Sequence, residues 1–195
     1  MATTAPYRLK SEGTILVPFG GYPMSRSSFD RLSALVAPGS VSYSTVHVGD
    51  AGEPNDVAVA RVIVDDHGTP RRVEASPVDE VMEILFSPAM KTWLEGVTET
   101  AALRVRRCQV HILSAGNFVG RHRDLDSNPD YVCPVVLQFS DDYAGGDYVV
   151  HDVVRGPMSF ATRRGDLLIT DPNIEHEVRP VTAGERQSLV YFLSR

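Results

Sequence analysis

The chain has 195 residues, 43% of them hydrophobic and 23% charged, which suits one soluble globular domain with a sizeable core. Nineteen Lys and Arg against 25 Asp and Glu give a net charge of −6, and the basic residues gather only locally, at Arg104, Arg106, Arg107 and at Arg163, Arg164, so no nucleic-acid partner is expected. No apolar run approaches the roughly 20 residues that span a bilayer, and Met1 to Lys10 lacks the basic start and apolar stretch of a secretion signal. A cytoplasmic location with no membrane partner follows as the expectation.

Ser27-Ser28-Phe29-Asp30 reads as a capping box opening a helix to about Val36, stopped by Pro38-Gly39. Val41 to Val48 alternates and Val57 to Val64 is β-branched, and both read as strands. Ser76-Pro77-Val78-Asp79 predicts a second helix start, with Ser76 as its cap and Pro77 in the first turn. Ser87-Pro88 opens another short helix that carries Trp93 and ends near Gly96. From Ala102 the texture changes, and short apolar segments recur: Leu103–Leu113, Val132–Phe139, Tyr148–Val150, Met158–Ala161, Asp166–Thr170, Glu177–Val181 and Ser188–Leu193. Turn residues such as Ala115-Gly116-Asn117, Ala144-Gly145-Gly146 and Asp171-Pro172-Asn173 separate them, the pattern of an antiparallel sandwich or barrel. The expected architecture is mainly β with an α-helical cover, as a single domain over 1–195. Within it, 1–100 form a mixed α/β N-terminal cover and 101–195 the catalytic core. Cys108 and Cys133 sit in apolar strand-like contexts without the spacing of a zinc site, so buried free thiols are expected.

The chemistry concentrates in His122-Arg123-Asp124 and the later His176, with Arg186 ten residues beyond it. Two imidazoles and one carboxylate can take one face of an octahedral metal and leave the other face open, the ligand set of non-heme Fe(II) oxygenases; the same donors also suit Mn or Zn. A strand end or tight turn puts His122 and Asp124 on one side, since strand side chains alternate with period two, and Arg123 then points away. Gly116 supplies the turn into the first ligand strand, and Gly165-Asp166-Leu167-Leu168-Ile169 precedes the second histidine.

Over Leu103 to Leu193 these features resemble the prolyl-4-hydroxylase-like branch of the Fe(II)/2-oxoglutarate-dependent dioxygenases. The family's His-x-Asp falls on His122 and Asp124, its Gly-Gly hairpin on Gly145-Gly146, and its closing string on His176, Val178, Pro180, Val181, Gly184 and Arg186. The resemblance implies a double-stranded β-helix (jelly roll) core. It implies His122, Asp124 and His176 as catalytic Fe(II) ligands, and Arg186 as the partner of the distal carboxylate of 2-oxoglutarate, with dioxygen as the other co-substrate. A planar guanidinium offers a carboxylate a two-pronged fork and keeps its charge throughout the working pH range. Ser188 shares the strand face of Arg186 and can add a hydrogen bond. The chain departs from its relatives at two positions. Leu113 stands where they often carry a tyrosine, and Gln138-Phe139-Ser140 stands for their Tyr-Leu-Asn, which makes Gln138 a replacement contact for 2-oxoglutarate.

Arg107, Gln109, His111 and Leu113 share one strand parity, and Cys108, Val110 and Ile112 share the other. If the apolar set packs against helices, Gln109 and His111 line the pocket. The polar loop Leu125 to Tyr131, with Asp126 and Asn128, is the other expected substrate-contact region. His47, His67 and His151 lack partner spacing and read as structural or exposed. The expected activity is hydroxylation of a small metabolite such as an amino acid or biosynthetic intermediate. The alternatives are a peptidyl or prolyl hydroxylase, or a cupin-like metal protein that does not use 2-oxoglutarate; Arg186 with Ser188 argues against the last. The sequence leaves the oligomeric state open.

Overall fold

A computed structural model describes residues 6–66, 69–74 and 77–195. The first half begins with helix α1 (Leu9–Glu12), strand β1 (Thr14–Val17) and helix α2 (Arg26–Leu35). Strands β2 (Ser44–Val48), β3 (Pro54–Asp66) and β4 (Thr69–Arg72) follow, then helices α3 (Val78–Leu85) and α4 (Pro88–Thr98). The second half runs β5 (Arg104–Ser114), β6 (Phe118–His122), helix α5 (Asp124–Ser127), β7 (Tyr131–Gln138) and β8 (Tyr143–Gly145). It closes with β9 (Tyr148–Asp152), β10 (Gly156–Phe160), β11 (Leu167–Thr170), β12 (Glu175–Val178) and β13 (Val181–Ser194).

The helix starts obey capping chemistry, with one shift. Ser25 rather than Ser27 caps α2, its hydroxyl accepting from Ser28 N at 3.0 Å. Ser87 caps α4 with Pro88 in the first turn, where a missing N–H costs nothing. The helix expected at Ser76 starts as α3 from Val78, and the Ser76 cap itself lies outside the described residues. No helix among the described residues is long and apolar enough to cross a membrane.

The strands join in the order β1-β11-β7-β13-β5-β3-β6-β12-β9-β10, all described pairings between them antiparallel. Strand β3 turns the corner between two layers: Ala58 to Ile63 pair with β5, while Asn55 and Asp56 pair with β6. The two faces of the larger layer read directly from parity. Leu189, Tyr191 and Leu193 of β13 and Cys108 and Val110 of β5 pack against the helices, in one cluster with Phe29, Leu32, Leu85, Leu94 and Trp93. Val190 and Phe192 face inward with Val57, Val59 and Val136, in a second cluster that reaches across to Tyr148, Val150 and Val178 of the smaller layer. Helices on one face and a narrowing sandwich on the other make a jelly roll with a helical cover. Both cysteines are buried free thiols.

The first hundred residues do more than cover the core. β1 extends the larger layer beside β11, and β3 lies between β5 and β6. A barrel formed from 101–195 alone would be open at that corner. The pairing of β3 with β5 spans about fifty residues of chain, and nothing local in either strand specifies it.

Candidate metal centre and its pocket

Strands β6 and β12 run antiparallel with His122 directly opposite His176, which brings the two imidazoles to 4.4 Å between ring centroids, tilted by 57°. The chain leaves β6 at His122, passes through extended Arg123 and turns into α5, whose first residue is Asp124. Arg123 points out and pairs with Asp126. The carboxylate of Asp124 therefore lies between the histidines, Oδ1 at 3.5 Å from His122 Nε2 and Oδ2 at 3.5 Å from His176 Nε2. One ligand atom from each of the three residues lies within 4.8 Å of the others. Cis donors about 2.1 Å from an octahedral ion are ~3 Å apart, so this spacing suits three ligands on one face of a metal.

Both rings are oriented by backbone. His122 Nδ1 is 2.7 Å from the carbonyl oxygen of Gly120, and His176 Nδ1 is 2.9 Å from that of Ile174. A carbonyl only accepts, so each Nδ1 carries the proton and each Nε2 presents its lone pair inward, the arrangement that metal-binding histidines need. Gly120 is required for a second reason: a Cβ there would lie 2.2 Å from the carbonyl oxygen of Pro54 on β3. Burial acts to lower both imidazole pKa values. For His122 the hydrogen bond and charge of Asp124 outweigh it and the net shift is upward, whereas for His176 burial prevails and the shift is downward. Tyr148 stacks on His176 at 5.1 Å and holds the ring from its other side. Asp124 is buried, and among the described residues its Oδ2 has no hydrogen-bond partner. A buried carboxylate oxygen facing two imidazole nitrogens is stabilised by a cation between them.

Arg186, on β13, is buried in the same cavity. Its Nη1 donates to Ser188 Oγ at 3.2 Å, while Nε and Nη2 have no hydrogen-bond partner among the described residues. Burial lowers its pKa, opposed chiefly by nearby Tyr143. The Gly-Gly hairpin is tailored to this side chain. Gly146 adopts φ +66°, and a Cβ on it would meet Arg186 Cδ at 3.0 Å and Val181 Cγ2 at 2.9 Å.

The cavity measures about 870 Å³, its open mouth included. Gln109, His111, Arg186, Ser188 and the three metal-type residues line it, so the polar parity of β5 faces inward. Gln109 Nε2 and His111 Nε2 are 2.6 Å apart. Three expected contacts are not brought to the cavity. Gln138 faces Ser188 in register, but its amide is satisfied internally: Nε2 donates to Ser140, and Oε1 accepts from Thr162 Oγ1 at 3.3 Å. Asp126 turns outward to Arg123, and Asn128 Nδ2 donates to Asp65 on β3. From that loop Ser127 lines the cavity instead. The sequence reading passed over Tyr148, Arg61, Asp50, Glu53 and Phe192, all on the cavity wall. Phe192 and Tyr148 were findable from strand parity with Ser188 and Val150. Asp50 and Glu53, on a turn, carried no periodic signal.

His111 gives a pH test. Burial, then the charges of Arg107, Arg186, His122 and Arg61, push its pKa down to about 3. The unfolded chain takes up a proton on this ring near pH 6.5, and the folded protein does so only near pH 3. This group therefore makes stability fall as pH drops through that window. In denaturant titrations from pH 7 to pH 4, His111→Gln is expected to lose stability more slowly than wild type. Parallel losses would place the acid sensitivity elsewhere.

The geometry defines a class: a jelly roll with a two-histidine, one-carboxylate centre beside a buried, unpaired arginine. The sequence profile of the 2OG-Fe(II) oxygenase superfamily matches residues 108–194. An oxidoreductase of the 2OG-Fe(II) oxygenase family from Burkholderia pseudomallei superposes with a TM-score of 0.85 at 34% identity, over 95% of this chain and 87% of that one. The chain belongs to the 2OG-Fe(II) oxygenase family. It is also 33% identical over 64 residues to a PKHD-type hydroxylase from Stenotrophomonas maltophilia (strain R551-3); the match spans 33% of this chain and 28% of that protein. A Trichoplax adhaerens prolyl hydroxylase, solved with a hypoxia inducible factor peptide, shares the fold with a TM-score of 0.69 at 15% identity, over 95% of this chain and 85% of that one.

Proposed function

We propose that this chain is an Fe(II)- and 2-oxoglutarate-dependent oxygenase that hydroxylates a small metabolite, such as an amino acid or biosynthetic intermediate. The observation that carries the reading is Arg186: a buried guanidinium with two nitrogens, Nε and Nη2, unmatched among the described residues, in the same cavity as His122, Asp124 and His176. Such a cation is stabilised by a carboxylate, and no described residue supplies one within ion-pair distance. The likeness to a PKHD-type hydroxylase supports the type of chemistry.

His122, Asp124 and His176 would hold Fe(II), which with 2-oxoglutarate supplies the activation of dioxygen. Arg186 and Ser188 would anchor the distal carboxylate of 2-oxoglutarate, orienting its keto-acid end toward the histidines. Gly146 leaves room for Arg186 to take that position. Tyr148 and the carbonyls of Gly120 and Ile174 keep both imidazoles aimed at one point. Val136, Val178 and Val190 line the wall around it and limit the access of water to the reacting carbon. Neutral His111 and Gln109 would hydrogen-bond a polar group of the substrate without adding charge.

Anaerobic addition of Fe(II) and 2-oxoglutarate should produce a weak visible charge-transfer band. A metal protein that does not bind 2-oxoglutarate would give none, and that outcome would overturn the reading. A screen for stimulated succinate release then tests the substrate class. Free amino acids and hydroxy acids are expected to stimulate, and stimulation by peptides alone would replace the small-molecule reading with a peptidyl hydroxylase. His111→Leu is expected to reduce the stimulated release.

A further inference from the structure

The mouth of the cavity carries a second arginine fork that the chemistry above does not use. On β5, Arg107, Gln109 and His111 share the inward face, and their partners on β13 are Phe192, Val190 and Ser188. Arg107 thus lies four residues from the His111–Ser188 level, about 13 Å along the strand. It is held in place rather than loose. Its guanidinium sits over the Phe192 ring at 5.4 Å from the centroid, its Nε donates to Gln109 Oε1 at 3.0 Å, and its side chain is only 15% exposed.

The partner of its outer edge is of a different kind. Arg107 Nη1 pairs with Asp50, which sits on the turn between β2 and β3 and is 56% exposed. Residues of that turn line the cavity, and β2 pairs with no described strand but β3. Arg61, one register step away opposite Gln109, brings a second guanidinium to the same wall, and no acid lies within ion-pair distance of it among the described residues. The other acid of the turn, Glu53, is already engaged, accepting from Ala51 N and Asn55 Nδ2. The wall therefore presents two cations on strands and two acids on the turn, of which only Asp50 is paired with an arginine among the described residues. Asp50 is the exposed partner of the pair, and a carboxylate of the ligand that replaced it would keep the Arg107 charge matched, so the exchange costs little.

We propose that Arg107 anchors a carboxylate of the primary substrate, and that Asp50 is a stand-in which this carboxylate displaces. The inference rests on the oxygenase reading, since it takes the opposite end of the cavity as the 2-oxoglutarate end. Asp50 identifies the ligand chemistry, because the group already seated on the fork is a carboxylate. The substrate lies with its acid group at the mouth and its oxidised carbon toward the histidines. Gln109, bonded to both Arg107 and His111, links the anchoring fork to the polar group deeper in. Arg107 is a specificity residue in this scheme, and Asp50 competes with the substrate for it.

The full chain, loaded with Mn(II) and 2-oxoglutarate so that no turnover occurs, is titrated calorimetrically with amino acids, hydroxy acids and dicarboxylates, each alongside its primary amide. Acids are expected to bind about tenfold or more tightly than their amides, the scale of one hydrogen bond to a charged group. Arg107→Gln should bring each pair within about threefold, and Arg107→Lys should keep part of the preference because it retains the charge without the fork. Asp50→Asn should tighten acid binding by removing the competitor. Both Arg107 variants are read only at the wild-type melting temperature, and Asp50→Asn supplies the result if neither reaches it. Amides binding as well as acids, an acid preference that survives Arg107→Gln, acid affinity unchanged in Asp50→Asn, or no acid binding at all overturns the proposal. The anaerobic Fe(II)/2-oxoglutarate band is measured on the same wild-type preparation. A band with no acid preference defeats this inference alone, whereas a missing band defeats the oxygenase reading and this inference with it.

Discussion

Asp124→Ala should abolish turnover and, in the metal-free protein, cost no stability. The two effects have one cause. Asp124 is buried and its Oδ2 has no hydrogen-bond partner among the described residues, so at pH 8, with both imidazoles neutral and no cation present, it is a desolvated acceptor facing two lone pairs. Removing it takes away a penalty. The melting temperature of the metal-free variant should match or exceed that of wild type. Mn(II) at about a hundred times its dissociation constant should stabilise wild type by about 2.7 kcal/mol, or about 5–10 °C for a chain of this size, and leave the variant unmoved. His122→Ala and His176→Ala should likewise abolish succinate release with the fold retained, because both rings line the cavity and neither belongs to the two apolar clusters of the core. Full activity in any of the three under matched iron would remove the triad from the mechanism, and a metal-free Asp124→Ala that melts well below wild type would show that the carboxylate is structural.

Different physical scales explain which parts of this site the sequence exposes. His122 and Asp124 are two residues apart, and local backbone geometry suffices to bring them to one side. Parity likewise places Gln109 and His111 inside, because Cys108 and Val110 must meet the helices. The Gly145-Gly146 pair is visible as a turn, but its reason, the Cδ of Arg186 against Gly146, appears only once β8 and β13 are paired. Gln138 fails for a related reason. Its parity agrees with Ser188, yet a buried amide takes whichever partners lie nearest, and Ser140 and Thr162 reach it first. Asp126 and Asn128 follow the ligand aspartate and are polar, but α5 turns them to Arg123 and Asp65. The mouth of the cavity was least legible. Its lining depends on β3 joining β5, and the Arg107–Asp50 pair crosses 57 positions of sequence. Such pairings follow from global topology, which local periodicity does not encode.

Arg186 should repeat the pattern of Asp124 at the other pole of the cavity. The side chain is 1% exposed, yet it has no acid partner within ion-pair distance among the described residues, and two of its three nitrogens lack a hydrogen bond. A buried charge in that condition destabilises the empty protein, and an apolar chain of similar length should relieve it. Arg186→Met is therefore expected to melt higher than wild type when neither metal nor 2-oxoglutarate is present. With the fork gone, a carboxylate entering the cavity meets an apolar wall. Losing one partner of a buried, hydrogen-bonded charge pair costs about 2–5 kcal/mol, so the apparent KM for 2-oxoglutarate should rise about thirtyfold or more, while that for the primary substrate moves far less. Arg186→Lys should recover only part of the loss, since an ammonium offers a point charge in place of two parallel N–H groups. Adding 2-oxoglutarate with Mn(II) should raise the melting temperature of wild type well beyond the metal alone, and that increment should vanish in Arg186→Met. An unchanged dependence on 2-oxoglutarate would move the co-substrate away from Arg186. A variant that melts below wild type in the empty state would mean that the guanidinium is paired in solution.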